Sequence, residues 1–99
     1  MKRGGAVYFM TNFLKTALYV GVTSDLRIRV LQHKEHFFRN SFTDKYQLDR
    51  CVYYELFSTI EEAIAREKQI KKYSRTKKDN LVHSFNRGWK DLWENIQTW

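Results

Sequence analysis

Five side chains in this 99-residue sequence have the chemistry to grip an anion, hold a cation and move a proton: Tyr8, Tyr19, Arg29, His33 and Glu67. Glu67 is the most informative of them. At about 100° per residue, Ile60, Ala63, Ile64 and Ile70 form one apolar helical stripe, and Glu67 falls in its middle. Glu61, Glu62, Lys68, Lys71 and Lys72 lie to its sides or behind. A carboxylate on an inward face is costly unless it is paired, protonated or bound to a metal. Two readings meet that condition: an ion pair with a nearby arginine, or a metal ligand. In an earlier helix, Leu26, Val30 and Phe37 share a face with His33, and Arg29 flanks that face one turn before it. Positions four apart stack on a helix, so Arg29 and His33 reach one place together. A hydrogen-bonded core histidine is the structural alternative. Tyr8 and Tyr19 stand in β-forming segments, where buried tyrosines ordinarily pack and hydrogen-bond. Each residue alone has a structural explanation; the functional reading rests on the five together.

The elements that must position them follow from pattern. Residues 6–11 (AVYFMT) suit a buried strand, residues 12–16 a polar-centred turn, and residues 17–22 (ALYVGV) a second strand. Two strands about five residues apart predict a hairpin. Thr23, Ser24 and Asp25 supply candidate N-caps for a helix running to about residue 37. Residues 39–50 are mixed and polar and read as a loop. Residues 51–57 (CVYYELF) form the third strand candidate. Thr59 followed by Glu62 is a capping box that opens a second helix through about residue 73. Ser74, Arg75 and Thr76 break it, and a shorter helix follows over about 76–84. Trp89, Leu92, Trp93 and Ile96 recur at helical spacing and predict a docking helix over about 89–97. The order is β-β-α-β-α-α with a C-terminal helix. That is an α+β fold, a three-stranded, mostly antiparallel sheet flanked by helices. A single domain over residues 1–99 is expected, its core about 5–84.

Composition sets the class. With 42% hydrophobic and 16% aromatic residues, the chain is not a disordered one. The single cysteine, Cys51, has no internal disulfide partner. No apolar stretch approaches the roughly 20 residues of a membrane-spanning helix. Met1-Lys2-Arg3 resembles the charged part of a signal peptide, but Thr11, Asn12 and Lys15 break the run that follows. A soluble, cytoplasmic protein with no membrane partner is expected. The net charge of +7 favours polyanions through counterion release. Seven of the 18 Lys and Arg residues fall within residues 66–78: Arg66, Lys68, Lys71, Lys72, Arg75, Lys77 and Lys78. Such a run is either a solvated helix face or a surface for a phosphate backbone.

Taken in order, these segments carry a resemblance. Ala6-Val7-Tyr8, ten residues, then Tyr19-Val20-Gly21 resembles the signature of the GIY-YIG nuclease family. The continuation through Val22-Thr23-Ser24-Asp25-Leu26, with Arg29 and His33, resembles that family's catalytic helix. Residues 62–72 (EAIAREKQIKK) resemble its acidic helix. The likeness is nearest to the small stand-alone bacterial members and covers almost the whole chain. It implies an endonuclease that hydrolyses phosphodiester bonds in DNA. It implies that Tyr8 or Tyr19 helps to activate the attacking water, that Arg29 binds the scissile phosphate, and that His33 orients the phosphate or shuttles a proton. It implies one divalent cation, Mg²⁺ or Mn²⁺, held by Glu67. Asn80 stands one residue from where some members place a phosphate-contacting asparagine. Lys68, Lys71, Lys72, Arg75, Lys77 and Lys78 are the expected nucleic-acid-binding residues. The sequence departs from the pattern at Ala6, where glycine is typical, and at Val22, where repair-type members carry lysine.

The chemistry is coherent with these groups. Phosphodiester hydrolysis adds negative charge to a centre that is already anionic, and a guanidinium and a cation stabilise it. One carboxylate suffices for Mg²⁺ when water and phosphate complete the shell. The alternative is a structure-selective nucleic-acid-binding module with little or no cleavage. No separate DNA-reading domain is visible, so targeting falls to the same small surface or to a protein partner.

Overall fold

The computed structural model describes residues 4–99; the Met1-Lys2-Arg3 start lies outside them. The chain runs β1 (Gly5–Thr11), β2 (Leu18–Thr23), α1 (Leu26–Lys34), α2 (Phe42–Lys45), β3 (Arg50–Phe57), α3 (Ile60–Lys71), α4 (Arg75–Phe85) and α5 (Trp93–Ile96). The sheet is antiparallel throughout, in the order β2-β1-β3. This is the α+β architecture the patterning predicts.

β1 is the central strand, and all seven of its residues are buried. Strand alternation sends its side chains to two different cores. Val7 and Phe9 pack with Ala63 and Ile70 of α3 and Val82 of α4. Ala6, Tyr8 and Met10 pack with Leu26 and Val30 of α1 and Ile96 of α5. The helix bearing Arg29 and His33 and the helix bearing Glu67 therefore cover opposite faces of the sheet. The hairpin is closed by Asn12, whose Oδ1 accepts from the N–H groups of Thr16 and Ala17 at 2.9 and 3.2 Å.

The helices start where capping chemistry places them. Asp25 caps α1 by accepting from the Ile28 N–H, and Thr59 and Glu62 form the reciprocal capping box of α3. Ser74 caps α4.

The ends and one element differ from the sequence reading. α1 stops at Lys34, not near residue 37. His36 adopts φ 55°, and its N–H reaches the His33 carbonyl while that of Phe37 reaches Gln32. These two bonds are a Schellman close made without glycine. Phe37 consequently leaves the His33 face and is exposed. The polar segment 39–50 is not all loop. Ser41 accepts from the Asp44 N–H and starts α2, which ends in a second Schellman close through Gln47 (φ 56°) and Leu48. Leu48 is buried and anchors the segment. The C-terminal helix is shorter than 89–97. Trp89 has φ 54° and fills the α3 core, and only Trp93–Ile96 is helical. Ile64 lies at the edge of the α3 stripe, partly exposed, while Ala63 and Ile70 are sealed.

Candidate active site

Tyr8 and Tyr19 reach one place because they lie on adjacent strands of the hairpin. Their rings meet at 6.2 Å between centroids, and each also meets the His33 ring, at 5.6 and 5.7 Å. Gly21 makes this possible. It is directly opposite Tyr8, and a Cβ there would lie 2.6 Å from the Tyr8 Cζ and Oη. The glycine of the Tyr-x-Gly element is thus the floor on which the Tyr8 ring lies.

The hydrogens around His33 are fixed by a chain of partners. The Ser41 hydroxyl is 2.5 Å from the Phe38 carbonyl, which only accepts, so Ser41 spends its one proton there. Thr43 Oγ1, 3.1 Å from Ser41 Oγ, must then donate to it. Thr43 in turn accepts from Nδ1–H of His33 at 3.1 Å. Nε2 is left as the acceptor for the Tyr8 hydroxyl, 2.9 Å away. Burial, and secondarily the Arg29 charge, push His33 down to about 4, so the neutral ring this chain requires is the form present at neutral pH. Burial above all raises Tyr8 far beyond its ordinary value, so Tyr8 keeps its proton.

In front of this pair is a hollow of about 180 Å³ lined by Tyr19, Arg29, His33, Phe38, Ser41, Phe42 and Thr43. Arg29 is half-buried there, its guanidinium 5.4 Å from the centre of the Phe38 ring. No carboxylate among the described residues pairs with it. A shielded guanidinium without a counter-ion is a ready anion site. Tyr8, with no exposed surface, does not line the hollow; Tyr19 does.

Ser41, Thr43, Phe38 and Phe42 were not singled out from the sequence. The signal that could have found them is the Ser41-x-x-Asp44 cap spacing, which marks a helix start beside the histidine helix.

Glu67 is not among the residues lining the hollow. Its side chain is 12% exposed and pairs at 2.9 Å with Lys71, an exposed neighbour one turn on. Arg66, the arginine beside it in sequence, is instead committed to Glu55 through two bonds of 2.9 and 3.1 Å. α3 packs against both β1 and the edge strand β2, which carries Tyr19. Among the described residues no group of three or more His, Cys, Asp or Glu gathers to hold a metal. A lone, shielded carboxylate with one exposed partner fits a hard, mostly hydrated cation such as Mg²⁺ or Mn²⁺ and does not fit a tetrahedral zinc site.

Asn80 is exposed on α4 and does not line the hollow. Of the basic residues, Arg75 is tied to Asp79 at 2.8 Å and to the Lys15 carbonyl at 2.8 Å, which fastens α4 to the hairpin. Lys77 lies 3.9 Å over the Tyr73 ring. Lys68, Lys72 and Lys78 have no ion-pair partner among the described residues. Cys51 is sealed in the core and burial pushes its thiol up to about 12, so it is no nucleophile.

Fold and hollow together define a small α+β domain that presents a phenol and an uncompensated guanidinium beside a tyrosine–histidine pair. The family model described as the GIY-YIG catalytic domain matches residues 4–80. The chain belongs to the GIY-YIG family, a family of nucleases. It is similar to UPF0213 protein SSP2268 of Staphylococcus saprophyticus, with 37% identity over 70 residues, covering 67% of this chain and 79% of that protein. No solved structure gives a significant match.

Proposed function

We propose that this protein is a metal-dependent endonuclease that hydrolyses phosphodiester bonds in DNA. The observation that carries the reading is Arg29, a half-buried guanidinium without a carboxylate partner among the described residues, opening into a hollow beside Tyr19. Arg29 grips the scissile phosphate through two parallel N–H donors. Negative charge grows on the non-bridging oxygens as water attacks, and the same guanidinium stabilises it most at that point. Tyr19 is the tyrosine that lines the hollow, which supports it as the one that meets the attacking water. Tyr8 donates to His33 and His33 donates to Thr43, which fixes the imidazole that the Tyr19 ring meets at 5.7 Å.

Glu67 would hold the divalent cation, which when bound supplies charge stabilisation for the departing 3′ oxygen. The basic residues Lys68, Lys72 and Lys78 would contact the DNA backbone without reading its sequence.

The test is cleavage of end-labelled and supercoiled DNA in Mg²⁺, Mn²⁺ or EDTA. Cleavage that needs the metal and falls by roughly 10²–10³ in Arg29→Ala supports the enzyme. Tight DNA binding without cleavage in every metal would make the protein a binding module instead.

A further inference from the structure

The segment between α1 and β3 carries aromatic rings that its own packing does not require. Its buried anchors are Thr43 and Leu48. Phe37, Phe42 and Tyr46 are 65%, 47% and 54% exposed. These rings are arranged around the hollow. Phe38 and Phe42 line it, Phe37 stands edge-on to Phe38 at 5.2 Å, and Tyr46 tilts against Phe42 at 4.8 Å. The rim therefore consists of two aromatic pairs beside the Arg29 guanidinium, which has no carboxylate partner among the described residues. Arg39 and Lys45 are exposed in the same segment. Two glycine-free Schellman closes, the Ser41 cap and the bond from the Asn40 N–H to Asp44 hold the segment in one shape. A platform of exposed rings around an anion site matches the chemistry of a nucleotide whose base is unstacked: charge for the phosphate, ring faces for the base. A duplex offers the phosphate but keeps its bases stacked on one another.

Resting on the reading of the hollow as a phosphate site, we infer that Phe42 and Tyr46 stack on an unpaired base next to the phosphate held by Arg29. The preferred substrate is then single-stranded DNA.

The experiment measures binding rather than turnover. The full chain in EDTA is titrated by fluorescence anisotropy into three probes of equal length: an oligo-dT strand, an abasic strand with the same phosphates, and a matched duplex. The oligo-dT strand is expected to bind roughly tenfold more tightly than either of the others. Phe42→Leu and Tyr46→Leu keep an apolar side chain on α2 and its cap while removing the ring. Each is expected to weaken oligo-dT binding roughly five- to tenfold, and Tyr46→Leu, at a residue that does not line the hollow, is expected to leave the abasic strand and the duplex unchanged. Equal affinity for strand and abasic strand, equal affinity for strand and duplex, or no effect of either variant overturns the inference. If all three probes bind alike and Arg29→Ala weakens all of them, the phosphate site stands and only the stacking falls. If none binds, the phosphate reading fails as well.

Discussion

The Tyr8 hydroxyl on β1 donates to Nε2 of His33 on α1 across 2.9 Å, joining two residues 25 positions apart in the chain. The bond exists in this direction because the other imidazole nitrogen is already committed to Thr43. Thr43 is thus the residue that sets which tautomer faces the tyrosine. Thr43→Val removes the acceptor for Nδ1–H at nearly constant volume. The proton is then free to move to Nε2, where it opposes the Tyr8 hydroxyl. ¹⁵N NMR of the imidazole should show protonated Nδ1 in the native protein and a mixed or reversed tautomer in the variant. Thr43→Ser should restore the native pattern. A native His33 protonated at Nε2 would contradict the chain of donors.

The same burial makes stability depend on pH. His33 is held down to about 4 in the folded protein, against about 6.5 for an unperturbed histidine. Between those values the unfolded chain binds a proton that the folded one refuses. Stability is therefore full above about pH 6.5 and falls as pH drops towards 4, with a slope of at most about 1.4 kcal/mol per pH unit from this group. Urea denaturation from pH 7 to pH 4 checks it. In His33→Gln that component of the slope should vanish; an unchanged slope would place the titration elsewhere.

Gly21 should tolerate no side chain. In Gly21→Ala the new methyl would lie 2.6 Å from the end of the Tyr8 ring, which cannot swing away without leaving His33. A loss of roughly 1–3 kcal/mol is expected, the usual range for overpacking. Denaturation midpoints measure it, and a variant as stable as the parent would show that Tyr8 has room the structure does not suggest.

Glu67 separates the metal from the fold. Glu67→Gln keeps the shape of the side chain and breaks only a pair with a half-exposed lysine, so stability should change by less than about 1 kcal/mol. Metal-dependent cleavage should be lost while DNA binding in EDTA is retained. Cleavage at the parental rate in Glu67→Gln would remove this residue from the chemistry.

These residues were legible in the sequence to different degrees, for physical reasons. The strands, the capping box and the Arg29–His33 spacing are local, so periodicity and cap chemistry located them. Tyr8 and Tyr19 were legible because a short hairpin leaves adjacent strands little choice of partner. The ends of α1 and α2 were not, because His36 and Gln47 take the left-handed conformation that normally announces itself as glycine. Missing α2 hid Thr43 and Ser41, and with them the reason for His33's orientation. Glu67 stood out correctly as a shielded carboxylate, but periodicity does not say which face of the sheet its helix covers. That depends on strand order and crossover, which place α1 and α3 on opposite faces.

A crystal structure of the protein with Mn²⁺ and a short, non-hydrolysable DNA strand would locate phosphate, phenol and metal at once. It should show a phosphate on the Arg29 guanidinium, Tyr19 beside it, and an anomalous Mn²⁺ peak bound to Glu67. A strand bound along the lysines of α3 and α4, with nothing at Arg29 and no manganese at Glu67, would contradict it.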